Sequence, residues 1–265
     1  MTNRRLLIAG NWKMNLNVSE SSVLVHKLDK QITNHHSLEI VLGPSFLSLQ
    51  ALSREINHSK FKLATQNGYP IDEGHYTGEV SFAMQRGLVD YAIIGHSARR
   101  VYFHESLEEI KDKVKAAIRN DIKPILCVGE TKQERLDKET KQVLHDQVVS
   151  ALYDLTAEEV SRVTIAYEPI WAISTFDGQP SNPDDMQREL VFIRKQVAEL
   201  YGQSVAEDVR LLYGGTVDDI NVLAYLSLND CDGVLVGAAS LSVDKFSNIV
   251  AKAYDYSLTK GKENE

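Results

Sequence analysis

Three side chains able to move protons or carry charge stand just past short apolar runs of the chain. Lys13 lies in Gly10-Asn11-Trp12-Lys13-Met14-Asn15, after Leu6–Ala9; His96 lies in Gly95-His96-Ser97-Ala98-Arg99-Arg100, after Tyr91–Ile94. Glu168 opens Glu168-Pro169-Ile170-Trp171-Ala172-Ile173, after Val163–Tyr167. A carboxylate can act as a general base at neutral pH without a metal, and an imidazole can give or take a proton there. An ammonium can face a developing negative charge. Each residue alone also has a plain reading: a solvated lysine, a helix-start histidine, a carboxylate before proline. Two further loops, Tyr213-Gly214-Gly215-Thr216 and Gly237-Ala238-Ala239-Ser240, are built of small residues. Such loops either let backbone N–H groups approach an anion such as phosphate or serve only as tight turns.

What would bring these segments together is a repeating alternation of strand and helix. Apolar runs at Leu6–Ala9, Glu39–Leu42, Phe61–Ala64, Tyr91–Ile94, Pro124–Val128, Val163–Tyr167, Arg210–Tyr213 and Gly233–Val236 read as strands. Between them, Ser19–Ile32, Leu47–Ile56, Leu107–Arg119, Thr140–Leu152, Pro183–Leu200 and Val217–Leu226 carry apolar residues at i, i+3 and i+4, the spacing of a helix with one buried stripe. Ser106 with Glu109, and Asn182 before Pro183, supply helix-start signals. Strands buried on both faces with crossover helices form a parallel sheet, and eight of them can close into a single-domain (β/α)8 barrel; a doubly wound open sheet is the alternative. In a barrel the residues just past each strand share one mouth, so Lys13, His96 and Glu168 would converge there. The barrel domain is expected over residues 1–256, and the polar stretch 257–265 is expected to fray.

Composition sets outer limits. The 265 residues suit one barrel domain, and 43% hydrophobic with 25% charged residues suits a packed core under a charged surface. A formal charge of −8 offers no clustered basic surface for nucleic acid. No run approaches the roughly 18 apolar residues of a membrane span, and the N-terminus shows no signal-peptide pattern, which points to the cytoplasm. Cys127 and Cys231 are too few for a disulfide framework or a zinc pattern and are expected to be reduced; no metal is implied.

The ordered motifs Asn11-Trp12-Lys13-Met14-Asn15, Ile94-Gly95-His96-Ser97, Ala166-Tyr167-Glu168-Pro169-Ile170-Trp171-Ala172-Ile173 and Tyr213-Gly214-Gly215 resemble the triosephosphate isomerase family. The resemblance runs from the first strand to the last. Gln66-Asn67, Thr77-Gly78-Glu79-Val80-Ser81, Cys127-Val128-Gly129-Glu130 and Leu235-Val236-Gly237 fit the same family. It implies a cofactor-free isomerase of small sugar phosphates. Glu168 would be the base, His96 a neutral electrophile, Lys13 a fixed positive charge, and Asn11 a neutral donor beside it. The backbone N–H groups of Ser174, Thr216, Gly237 and Ala238 would hold phosphate, under a lid that begins at Ser174. The 66–81 segment would reach into a second subunit of a homodimer, with Thr77 near the partner's active site.

The chain departs from the family pattern at four places. Ala98 stands where the family has glutamate, next in sequence to His96-Ser97. The lid, Ile173-Ser174-Thr175-Phe176-Asp177-Gly178-Gln179-Pro180-Ser181-Asn182-Pro183, is about two residues longer than Ile-Gly-Thr-Gly would make it. Ser174 and Ala238 replace glycines, which would cost about 1 kcal/mol or more wherever positive φ is required. Thr216 replaces serine. Ala98 and the lid leave room for two other readings: a paralogue acting on another short ketose phosphate such as a tetrulose phosphate, or a barrel kept as a non-catalytic binding protein.

Overall fold

Eight parallel strands close on themselves in sequence order: β1 (Leu6–Asn11), β2 (Leu38–Gly43), β3 (Phe61–Thr65), β4 (Tyr91–Ile94), β5 (Lys123–Val128), β6 (Thr164–Tyr167), β7 (Arg210–Tyr213) and β8 (Gly233–Val236). The structure is a computed structural model that describes residues 4–33, 36–173 and 181–262. The closed barrel replaces the open-sheet alternative. β8 pairs with β1 in register from Leu7↔Gly233 to Gly10↔Val236, so no edge is left. At Gly233 a Cβ would collide with the carbonyl oxygen of Leu7, so the strand that seals the barrel begins at a position only glycine fills.

The period-two alternation of the strands separates two cores. Leu7, Ala9, Val41, Ala64, Tyr91, Ile93, Ile125, Cys127, Ala166, Leu212 and Leu235 fill the barrel interior. Their neighbours, such as Leu6, Ile8, Ile40, Ala92, Leu126, Ile165 and Leu211, face outward into a larger cluster with the helices. Apart from charged residues near their N-terminal ends such as Glu39, Lys62, Lys123 and Arg210, the strands are therefore apolar on both faces, which is why they read as apolar runs. At the N-terminal end of the barrel Arg210 bridges Glu39 at 2.6 Å and the Tyr91 hydroxyl at 2.7 Å, tying the starts of three strands.

The helices follow the expected apolar stripes, with three differences. The stretch from Val217 becomes helical only over Val222–Leu226. Before it, Asp218 Oδ1 accepts the N–H groups of Ile220 and Asn221 at 2.9 and 3.0 Å, and this side-chain turn displaces the helical one. Short helices at Phe82–Gln85, Lys132–Leu136, Ala157–Ser161 and Gln203–Asp208 add to those expected. The third difference is a helix over Val243–Lys262, which takes in 257–262 of the stretch expected to fray. It buries Phe246, Ile249, Val250 and Ala253 at i, i+3, i+4 and i+7, and Ser257 bonds Ser37 through their hydroxyls at 2.8 Å. The caps at Ser106 with Glu109 and at Asn182 before Pro183 are present.

Candidate active site

The C-terminal ends of the strands open onto a cavity of about 170 Å³ whose walls include Asn11, Lys13, His96, Glu168, Thr216, Gly237 and Ala238. Seven of the residues singled out by sequence thus meet in one place. Thr77 does not: it is exposed on the loop after β3, away from this cleft. Ser174 and the rest of the expected lid up to Pro180 lie outside the described residues.

Glu168 directly follows β6, the residue only 1% exposed. Its N–H donates to the Val128 carbonyl at 2.7 Å, extending the sheet by one residue and aiming the side chain inward over the barrel. Its two carboxylate oxygens have separate partners. Oε2 accepts the Ser97 N–H at 3.3 Å, and Oε1 lies 3.3 Å from His96 Nε2. The space is made by Gly214, where a Cβ would stand 2.7 Å from Glu168 Cγ. The Cys127 thiol sits beside Glu168 at the top of the inner core, and burial together with the carboxylate pushes its pKa well up, so it stays neutral.

His96 caps the short helix Ser97–Tyr102, and its Nδ1 accepts the Ala98 N–H at 3.1 Å. An N–H pointing at Nδ1 requires a bare lone pair there, so the ring is neutral with its proton on Nε2, facing Glu168. Burial is the main cause that lowers the pKa of His96. Glu168 acts to raise it, and Lys13 and Arg100 act to lower it. The tautomer needed to polarise a carbonyl is therefore fixed by backbone geometry and protected by desolvation.

Lys13 occupies a rare conformation for a residue with a side chain, with φ of 53°. Asn11 Oδ1 receives the Lys13 N–H at 3.0 Å, and Gln66 Nε2 donates to both the Lys13 and Gly43 carbonyls at 2.8 Å. These bonds hold the turn that brings the lysine back over the barrel mouth. Its Cε lies 3.9 Å from where a Cβ on Gly237 would be, so the ammonium sits beside the loop that follows β8. Burial lowers the Lys13 pKa and the Glu168 charge works against that shift.

At the other end of the cleft, Gly237 leads into a single 3-10 turn, Ala238–Leu241. The first N–H groups of such a turn have no partner within it, which suits the start of the turn to an anion. Ala238 is not among the described residues with positive φ, so its methyl group brings no backbone strain. Thr216 is differently disposed from what the resemblance implies. Its N–H and its hydroxyl both donate to the Ala172 carbonyl, at 3.0 and 2.7 Å, so neither is directed at the cavity in this conformation.

Three neighbours were not singled out from sequence. The Ser97 N–H is a backbone donor, and residue type gives no sign of it. Arg100, with burial lowering its pKa and Glu168 opposing the shift, has Nε and Nη2 buried without a partner among the described residues. Lys245 lines the cleft from the Val243–Lys262 helix, where it reads in sequence as an ordinary solvated lysine. Among the described residues no cluster of His, Cys, Asp and Glu could hold a metal ion.

The family model described as triosephosphate isomerase matches residues 6–253. The chain is 45% identical over 248 residues to the triosephosphate isomerase of Endomicrobium trichonymphae, covering 93% of this chain and 98% of that protein. It is 43% identical over 248 residues to the one of Lactiplantibacillus plantarum, with the same coverage of both. The enzyme of the same name from Chloroherpeton thalassium is 40% identical over 252 residues, covering 94% of this chain and 99% of that protein. With a match this long, and a closed barrel that gathers Asn11, Lys13, His96 and Glu168 into one mouth, the chain belongs to the triosephosphate isomerase family.

Proposed function

We propose that this enzyme interconverts dihydroxyacetone phosphate and D-glyceraldehyde 3-phosphate by proton transfer through an enediol intermediate. The observation that carries the reading is the pairing of Glu168 with a His96 ring held as its Nε2–H tautomer, 3.3 Å apart. Glu168 takes the proton from the carbon beside the carbonyl, and the C–H electron pair becomes the C=C bond of the enediolate. The His96 Nε2–H polarises the carbonyl oxygen and moves protons between the two oxygens. Glu168 then returns its proton to the neighbouring carbon. Lys13, with Asn11 beside it, stabilises the oxyanion as it develops. No cofactor enters the scheme.

The phosphate is held by Gly237 and Ala238, by Ser174, and by Thr216 once its donors leave the Ala172 carbonyl. Because Glu168 is bonded to the Ser97 N–H, it too must turn toward substrate before reacting. A homodimer is part of the proposal. The loop 66–81 carries Tyr76 at 42% exposure next to Thr77, and Met14, after β1, is 96% exposed, apolar surface suited to burial against a second subunit. Among the described residues no helix is long and apolar enough to cross a membrane, and the working location proposed is the cytoplasm.

A coupled assay on the purified enzyme tests the reaction. Triose phosphate turnover is expected to exceed turnover of a tetrulose phosphate by a wide margin. The reverse order would replace the triose reading with the paralogue reading that Ala98 and the longer lid favour, and turnover of neither would leave a binding protein. Glu168→Asp should lower kcat by about 100-fold or more with little change in KM, since withdrawing the carboxylate by one methylene spoils its reach.

A further inference from the structure

The anion end of the cleft holds a cation that the reaction scheme above does not use. Lys245 lines the same cavity as Gly237, Ala238 and Thr216. It is the third residue of the Val243–Lys262 helix, and its own N–H points to the Ser242 hydroxyl at 3.4 Å. A positive side chain in the first turn of a long helix is misplaced by the helix dipole, which favours acidic groups there; Asp244, next to it, follows that preference. Among the described residues no carboxylate pairs with the Lys245 ammonium, and the side chain is exposed to the cleft and solvent. Neither stability nor an ion pair accounts for a lysine at this position.

The charge balance at that end of the cavity gives it a role. Asp218 lines the same wall, its Oδ1 engaged in the turn that precedes Val222–Leu226, and its charge opposes a phosphate dianion. The chain as a whole carries a formal charge of −8 and supplies no general attraction for an anion. Backbone N–H groups give direction but only partial charge. Lys13 supplies one positive charge there, its Cε 3.9 Å from where a Cβ on Gly237 would be, and Lys245 supplies a second.

We infer that Lys245 is a substrate-binding residue, presenting its ammonium to the outer oxygens of the substrate phosphate and offsetting Asp218. The inference rests on the phosphate reading of this site. It concerns affinity, because the phosphate carries the same charge in substrate and in transition state, so the contact is of the uniform kind that sets KM more than kcat.

The test uses the intact enzyme, Lys245→Ala and Lys245→Arg, with inorganic phosphate as a probe independent of turnover. For Lys245→Ala, KM for triose phosphate and the phosphate dissociation constant by calorimetry should both rise about three- to ten-fold, with kcat within about two-fold. The salt dependence of KM should flatten, and Lys245→Arg should restore most of the affinity. Without phosphate, the melting temperature of Lys245→Ala should equal or exceed that of the parent, since the helix loses a misplaced charge. If the parent binds phosphate and Lys245→Ala binds it equally well, this inference is overturned and the phosphate site stands. If the parent binds no phosphate, the phosphate reading and the role of Lys245 fall together.

Discussion

The Ala98 N–H donates to Nδ1 of His96, and this one bond decides which nitrogen of the ring carries the proton. It comes from the peptide backbone and so is open to any residue at 98 except proline. Glutamate or alanine there changes the charge near the site but leaves the tautomer intact.

The first prediction follows from that bond. In ¹⁵N NMR, His96 should show a protonated Nε2 and a bare Nδ1 at neutral pH, and should titrate below the ordinary imidazole range. Burial holds its pKa below the ordinary imidazole value of about 6.5. A titration centred on the ordinary value would refute this. The depressed pKa also carries a stability consequence. Between the lowered folded value and the unfolded one, the unfolded chain binds more protons, so the contribution of His96 is complete above about pH 6.5 and fades as pH falls through the folded value.

Gly214→Ala should preserve the fold and disable the site. The added methyl group would lie 2.7 Å from Glu168 Cγ and push the carboxylate off its position between Ser97 and His96. A displacement on the ångström scale should lower kcat on the order of 100-fold. Circular dichroism and melting temperature should remain near those of the parent. Normal kcat would mean that the methyl group does not hinder Glu168 on its way to the substrate.

Lys13→Gly should trade activity for stability. The backbone at φ 53° costs a residue with a Cβ roughly 1–2 kcal/mol, and glycine largely removes that cost at the expense of a more flexible unfolded chain. A net gain of up to about 1 kcal/mol is expected in denaturant unfolding, with turnover lost together with the ammonium. A large fall in stability would show that the lysine side chain contributes more to the fold than its turn costs.

At the opposite end of the barrel, Glu39→Gln should leave kcat and KM unchanged and cost about 1–3 kcal/mol, since Arg210 would lose its charged partner in a mostly buried setting. Burial raises the Glu39 pKa, but Arg210, through charge and hydrogen bond, outweighs it and brings the net value below the ordinary one. The sign is that of a depressed carboxylate: the stabilisation is present above the unfolded value, about 4.3, and is lost as pH falls through the folded value. The difference in unfolding free energy between parent and variant should therefore shrink below about pH 4. A difference independent of pH would assign the effect to packing.

Most of the frame could be read before the structure because burial on both faces leaves a plain mark. Leu6-Leu7-Ile8-Ala9 alternates between the two cores, yet every position is apolar, so the strand stands out. Lys13, His96 and Glu168 were equally visible, since their side chains are of the types that move protons or carry charge. Other features were visible only in part. The apolar spacing of Phe246, Ile249, Val250 and Ala253 was available to mark the last helix, but polar Ser257 and Thr259 hid how far it continues. The helix expected from Val217 was cut short by Asp218, whose side chain competes with the backbone in a way that apolar periodicity does not register. The Ser97 N–H that holds Glu168, and the Ala98 N–H that sets His96, had no sequence signature at all, because every residue but proline carries such a donor.

The seam between β1 and β8 joins the first strand to the last, Leu7 through Gly10 against Gly233 through Val236. Asn11 and Lys13 lie just beyond one side of that seam, and Gly237 and Ala238 just beyond the other. Translation makes Lys13, His96 and Glu168 before Gly237 and Ala238 exist to face them. A half-made barrel thus has the lysine, the imidazole and the carboxylate with no cleft to assemble them, and the cleft is complete only when β8 closes onto β1.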